Sequence, residues 1–109
     1  MLKVEVILGQ NDVMAISEEL KKIGIGGLTV SKVRGRGKKP GPEIHASKGS
    51  EIFTPQFNDK YQLEVIISDA KEDEVINIIK KNGRIGKIFV SQILRAVDIA
   101  TGTEVEDTI

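Results

Sequence analysis

Cysteine is absent from the 109-residue chain, and aromatic residues make up only 4% of it. Without cysteine there are neither disulfides nor thiolate metal ligands, which fits a cytosolic protein. So few rings leave no exposed pair on which nucleic-acid bases would stack. The 16 basic and 16 acidic residues cancel, which excludes a global electrostatic attraction to nucleic acid.

Long apolar runs are also missing. None approaches the about 20 residues of a membrane span, and Lys3 and Glu5 interrupt the first apolar run, so we expect no signal peptide. The sequence predicts a cytoplasmic protein that reaches a membrane only through a partner. Its length predicts a single domain over 1–109, which buries about 65% of its unfolded surface.

Hydrophobic spacing predicts two βαβ units joined by a long loop. Asn11 is a candidate N-cap for the first helix and Gly24 its left-handed stop. Asp69 and Glu72 are a candidate capping pair for the second helix. Strands are predicted at 1–8, at the beginning of the stretch 27–41, and at 61–68, 88–90 and 93–99. One face of the first strand carries Leu2, Val4, Val6 and Leu8. The first predicted helix lies between Asn11 and Gly24, and the second runs from Asp69 to its end at Asn82-Gly83. The apolar residues with helical spacing in the first helix are Val13, Met14, Ile16, Leu20 and Ile23.

This order describes a ferredoxin-like βαββαβ fold, in which both helices cover one face of the sheet. The other face would present Thr29, Ser31, Glu64 and Ile66. A half-apolar open face favours either oligomerisation or ligand packing. We expect a homo-oligomer.

The stretch 27–41 begins as a strand and becomes basic and glycine-rich. Four cations and two glycines occupy 34–39, and the loop that follows, about 37–58, has the length of a functional loop. Gly35-Arg36-Gly37-Lys38 is able to cradle a phosphate through backbone N–H groups. The residues alone also fit a solvated, flexible hairpin loop. A contact with a nucleic-acid backbone is a further alternative, against which the low aromatic content argues.

Other candidate sites have structural explanations. His45, the only histidine, has just Glu43 nearby, too few partners for a metal site or a general base. The acidic run 72–74 suits the first turn of a helix. The spacing shows no catalytic triad and no set of metal ligands, so we expect a protein that is not an enzyme.

Four ordered motifs resemble the PII signal-transduction family: G-L-T-V at 27–30, V-R-G-R-G at 33–37, G-K-I-F-V at 86–90 and T-G at 101–102. The resemblance implies a compact homotrimer of ferredoxin-like subunits. It also implies ADP or ATP in the clefts between subunits, and a T-loop at about 37–58 that docks on target proteins such as ammonium channels.

The same resemblance assigns roles to individual positions. Ile7, Thr29 and Ile66 match places that line the adenine site, and Lys39, Lys60 and Arg84 match possible contacts with an effector or phosphate. Pro42, His45, Ile52 and Phe53 lie in the loop that would bind the partner. The phosphate contacts fall at Gly35, Arg36, Gly37, Lys38, Gly86 and Lys87.

Several positions depart from the family pattern. The B-loop at 82–87 lacks the family's G-D-G element, and Asp98 and Ala100 replace two arginines that neutralise ATP phosphates. Asp98 should lower affinity for a triphosphate through repulsion, unless Arg84, Arg95 and Lys87 compensate. Lys39 replaces a glutamine that ligates Mg²⁺ with 2-oxoglutarate, which leaves the role of Mg²⁺ open.

The T-loop contains no tyrosine, so uridylylation is not expected. The sequence predicts a PII-like regulator that binds ADP or ATP and controls a partner, such as a membrane transporter, through its T-loop. Two alternatives stay open: a sensor of another small metabolite with ATP binding lost, and a constitutive module for binding protein or nucleic acid.

Overall fold

The structure, a computed structural model, describes residues 1–36 and 57–104 and the backbone of 44–45 and 52–53. The order of elements is βαβ, a loop with a small two-stranded ladder, then βαβ. The elements are β1 (Leu2–Leu8), α1 (Gln10–Lys22), β2 (Thr29–Gly35), β3 (Ile44–His45), β4 (Ile52–Phe53), β5 (Asn58–Ile67), α2 (Glu72–Asn82) and β6 (Ile88–Gln92).

Four strands form one antiparallel sheet in the order β2-β5-β1-β6. Strand alternation divides it into two faces. The face against the helices holds the buried side chains of β1 and β5, which join those of α1 and α2 in one hydrophobic cluster. This is the predicted ferredoxin-like arrangement. The cluster includes Val4, Val6, Leu8, Val13, Ile16, Leu20, Leu63, Val65, Ile67, Val75 and Ile79.

The end of α1 follows the prediction closely. Gly24 adopts a φ of +88°, which favours glycine because it has no Cβ. The Gly24 N–H donates to the Lys21 carbonyl at 3.1 Å and the Ile25 N–H to the Leu20 carbonyl at 3.0 Å. These two bonds are the Schellman pattern, and they direct the chain back toward the core at buried Ile25.

The predicted helix starts are wrong. Helix α1 begins at Gln10, after Gly9, and no side chain caps it. A 3-10 turn over Asp69–Lys71 precedes α2, and no side chain caps that helix either. Asp69 is engaged elsewhere, because its Oδ1 accepts a hydrogen bond from the Met1 ammonium at 2.7 Å.

The predicted last strand over 93–99 is also wrong. Gln92 pairs with Leu2, the first residue of β1, and the Ile93 N–H donates to the Met1 carbonyl at 3.0 Å. The ladder between β1 and β6 stops at this pair. The chain folds back on itself instead, through an isolated bridge between Val97 and Glu104.

Candidate functional site

Three strands bring candidate residues to one end of the sheet. Leu8 at the end of β1 pairs with Tyr61 of β5, and Gly35 at the end of β2 pairs with Asn58. The register therefore places Ile7, Lys60 and Gly35 at the same end. Arg36 follows immediately as the last described residue before the loop.

A turn over 83–87 joins this end from α2. The Gly83 N–H donates to the Ile79 carbonyl at 2.7 Å, and a Cβ on Gly83 would lie 2.9 Å from that oxygen. Gly86 has a φ of +129°, and a Cβ there would lie 3.0 Å from the Ile7 carbonyl oxygen. Both close approaches require glycine. They seat Gly86 and Lys87 beside the end of β1.

Arg84 lies in the same turn but reaches toward α1. Its Nε is 3.3 Å from Oδ1 of Asp12, a residue whose exposed fraction is only 8%. No prediction from the sequence involved Asp12, although its acidic side chain in the first turn of α1 suits the helix dipole. Only the fold brings the two side chains together.

A depression of about 270 Å³ lies on the helix side of the turn. Its lining includes core residues of β1 and α2 together with Lys80 and Arg84, so it belongs to the core side of the sheet rather than to the open face. Its lining residues are Val6, Leu8, Ile79, Lys80, Gly83, Arg84, Ile85, Gly86 and Ile88.

The open face of the sheet mixes charged and apolar side chains. Glu5 accepts a hydrogen bond from Gln62 Nε2 at 2.8 Å and lies 3.4 Å from the Lys3 ammonium. Phe89, opposite Glu5 in the register, is exposed, and Ile7 is 45% exposed. This confirms the mixed character that the strand pattern predicted.

The three predicted adenine contacts, Ile7, Thr29 and Ile66, do not lie together in one chain. Ile7 pairs with Gln62, whereas Ile66 pairs with Lys3. At about 3.4 Å per residue, Ile7 and Ile66 are separated by about 14 Å along the strands. Thr29 lies on β2, beyond β5 and about 10 Å across the sheet from β1. Ile7 therefore lies apart from the other two predicted adenine contacts, Thr29 and Ile66.

The segment after β6 holds the two positions where arginines are missing. Asp98 Oδ1 accepts the N–H groups of Ala100 at 2.9 Å and Thr101 at 3.1 Å. Its carboxylate thus stabilises its own turn. Arg95, a predicted compensating cation, donates to Glu104 Oε1 at 2.6 Å.

The structure describes only some of the predicted residues at the base of the loop and within it. Gly37, Lys38, Lys39 and Pro42 lie outside the described residues. His45, Ile52 and Phe53 belong to the β3–β4 ladder, in which Ile44 pairs with Phe53 and His45 with Ile52. The loop therefore contains a short antiparallel ladder, which no predicted strand covered.

In the described part of the chain, no helix is both long enough and apolar enough to cross a membrane. The same residues contain no group of three or more His, Cys, Asp or Glu side chains placed to hold a metal ion.

Fold and site together define a small α+β module of the ferredoxin-like class, with a basic, glycine-containing end of the sheet next to a long loop. The model of the family "Nitrogen regulatory protein P-II" matches residues 1–103. The chain therefore belongs to the P-II family of nitrogen regulatory proteins, as the motifs predicted.

Individual relatives agree. The chain is 37% identical to the nitrogen regulatory protein P-II of Haemophilus influenzae over the full length of both chains. It is 40% identical to the P-II protein of Pyropia yezoensis over 93% of each chain, and 40% identical to the nitrogen regulatory protein GlnK of Escherichia coli over 91% of each. The protein is thus a signalling regulator rather than an enzyme.

Proposed function

We propose that this P-II protein is a homotrimer that binds ADP or ATP in clefts between subunits. The binding state controls a target protein, such as a membrane transporter, through the loop at about 37–58. The main support is the convergence of Gly35 and Arg36, Lys60, and Gly86 and Lys87 at one end of the sheet, next to Ile7.

Glycine backbone and cations suit a phosphate chain. Gly35 and Gly86 let backbone N–H groups approach an anion, and Lys60, Lys87 and Arg36 add positive charge. A charged hydrogen bond of this kind contributes about 1.5–3 kcal/mol. We therefore assign the phosphates to this end of the sheet, with Gly37 and Lys38 as further contacts and Lys39 as a contact for phosphate or an effector. Arg84, which the sequence also offered for this role, pairs with Asp12 instead.

The separation of the adenine contacts supports a site shared by two copies. An adenine ring is too small to touch Ile7 and Ile66 of the same chain, because about 14 Å separates them along the strands. If Ile7 comes from one copy, and Thr29 and Ile66 come from the next, all three line one cleft. The exposed apolar side chains Leu94 and Ile99 give a second copy a surface to cover.

Nucleotide binding would affect the partner through the backbone that joins the binding site to the loop. Arg36 connects directly to the loop, so a ligand that binds one arrangement of 35–38 better than another shifts the population of loop conformations. Pro42, His45, Ile52 and Phe53 are the proposed contacts with the target protein.

A second candidate function is a sensor of a different small ligand in the same clefts. Two observations favour it: Asp98 and Ala100 replace the phosphate-neutralising arginines of the family pattern, and Arg84 and Arg95 are engaged in ion pairs with Asp12 and Glu104. A ligand with less negative charge than ATP needs fewer cations.

The deciding experiment is calorimetric titration with ADP and with ATP, each with and without Mg²⁺. We expect saturation at about one nucleotide per subunit and, for Lys87→Ala, about tenfold weaker binding, since one charge-assisted contact is lost. Lys22→Ala is the matched control, because Lys22 is exposed and pairs with Glu19 on α1. Absence of binding by either nucleotide would contradict the proposal and favour the second candidate.

The trimer and the loop are tested separately. Sedimentation equilibrium should give three chains per particle, and a monomer would contradict the shared cleft. Limited proteolysis should cut within 37–58 at a rate that ADP or ATP changes. An identical rate with saturating nucleotide would show that the loop does not respond.

A further inference from the structure

Asp12 stands out by its burial. Among the residues that the structure describes, it is the only buried polar or charged side chain. It lies in the first turn of α1, where the helix dipole favours a carboxylate. Its partner Arg84 is distant in sequence, follows α2, and is itself mostly exposed. The ion pair therefore ties the start of α1 to the turn at 83–87.

That turn is held at three places. Gly83 packs against the Ile79 carbonyl of α2, Gly86 lies against the Ile7 carbonyl of β1, and Arg84 is bound by Asp12 of α1. The two glycine contacts fix backbone position at either side of Arg84. Between them residues 84 and 85 are exposed, and within the described part of the chain the ion pair with Asp12 is the polar side-chain contact that restrains this side of the turn.

The environment of Asp12 makes this pair stronger than an ordinary surface pair. Water and salt screen exposed pairs, such as Glu19 with Lys22 on the same helix. Asp12 is buried, although Arg84 is mostly exposed, so water and salt screen this pair less than a pair with two exposed partners. A restrained Arg84 in turn restrains the backbone that leads to Gly86 and Lys87.

We propose that Asp12 is a positioning residue for the phosphate-binding turn, acting through Arg84. This inference rests on the proposed function. In it, Asp12 touches no ligand, and Arg84 serves to hold the turn rather than to bind phosphate. The pair pre-organises Gly86 and Lys87, so binding loses less free energy to ordering the turn.

The test uses Asp12→Asn, which keeps the shape and removes the charge, together with Arg84→Gln and the double variant. The matched control is Glu19→Gln, which removes the carboxylate of an exposed pair on the same helix. We expect each single variant to raise the ADP dissociation constant about threefold to tenfold. The double variant should be no worse than either single variant, because the two residues act as one unit.

A second readout needs no nucleotide. Amide hydrogen exchange at 84–87 should become faster in Asp12→Asn and in Arg84→Gln, and stay unchanged in Glu19→Gln. Exchange in the core strands should not change, which separates loss of the turn from loss of the fold.

Each outcome distinguishes this inference from the proposed function. If the unaltered protein binds no nucleotide but exchange at 84–87 still responds to Asp12→Asn, the function fails while the link between Asp12 and the turn stands. If nucleotide binds and Asp12→Asn changes neither affinity nor exchange, the inference is overturned. It is also overturned if Arg84→Gln weakens binding while Asp12→Asn strengthens it, because Arg84 would then contact phosphate itself.

Discussion

Replacing Gly86 by alanine tests the geometry of the turn most directly. A φ of +129° is one that L-residues rarely adopt, and the added Cβ would lie 3.0 Å from the Ile7 carbonyl oxygen. The backbone strain costs about 1–3 kcal/mol. The carbonyl is part of β1 and cannot swing away, so the contact adds about 1 kcal/mol. We expect Gly86→Ala to lower the free energy of unfolding by about 2–4 kcal/mol.

Substitutions of Gly102 and Gly26 separate the effect of backbone strain from the effect of the contact with Ile7. Gly102 also has a positive φ, +72°, but a Cβ there meets nothing within 4 Å. Gly102→Ala should therefore lower the free energy of unfolding through backbone strain alone, by about 1–2 kcal/mol. Gly26 has open space and no positive φ, so Gly26→Ala should be neutral or stabilise the fold by about 0.4–1 kcal/mol.

The assay is urea unfolding followed by circular dichroism, with the protein concentration held constant because an oligomer's stability depends on it. The predicted order of midpoints is Gly26→Ala highest, then Gly102→Ala, then Gly86→Ala. A Gly86→Ala midpoint equal to that of Gly102→Ala would refute the contact with Ile7. A midpoint equal to that of the unaltered protein would refute the strain as well.

Two further predictions concern the core and the C-terminal turn. Ile16 is fully buried, so Ile16→Ala should lower the free energy of unfolding by about 2–5 kcal/mol. Met14 is exposed, so the control Met14→Ala should change it by less than about 0.5 kcal/mol. Equal urea midpoints for the two variants would contradict the assignment of Ile16 to the core. Asp98→Ala removes the acceptor of the Ala100 and Thr101 N–H groups, so hydrogen exchange at these amides should become about fivefold faster. Unchanged exchange would show that the carboxylate does not hold the turn.

Alternation and helical spacing were sufficient for the main elements. Leu2, Val4, Val6 and Leu8 share the core face of β1 as predicted, opposite Lys3 and Glu5. Such patterns are local, because one buried face imposes them on every strand and helix. Met14 is the exception in α1: it was assigned to the apolar stripe, yet it is 66% exposed. Its direction on the helix lies outside the arc of Val13, Ile16 and Leu20.

Local sequence patterns did not predict the helix caps or the last strand correctly. Asp69 has the residue type and spacing of a capping residue, but its carboxylate bonds to the Met1 ammonium instead. Residues 93–99 alternate like a strand, but the ladder between β6 and β1 stops at the pair Gln92–Leu2. In the described residues it is followed by no more than the isolated bridge between Val97 and Glu104. A strand needs a neighbour with free backbone groups, and sequence alternation does not supply one.

Part of the candidate site was also accessible from the sequence. The glycines and cations of 35–38 and 86–87 were identified by motif, and the sheet register brings the described members of that set, Gly35, Arg36, Gly86 and Lys87, to one end. How they bind stays a prediction. The expected repulsion of phosphate by Asp98 also stays a prediction, but the sequence did not reveal that its carboxylate accepts two backbone N–H groups of its own turn. The direction of a side chain depends on its nearest donors, which are known only in the folded chain.

The sequence by itself determined the fold class, the core faces of the elements and membership of the P-II family, because these depend on residue type and spacing along the chain. Tertiary structure alone decided that Arg84 meets Asp12, that Gly86 lies against Ile7, and that Ile7 and Ile66 lie about 14 Å apart along the strands. Such contacts join residues that are remote in sequence, and strand register and helix packing, not local preference, set their distances.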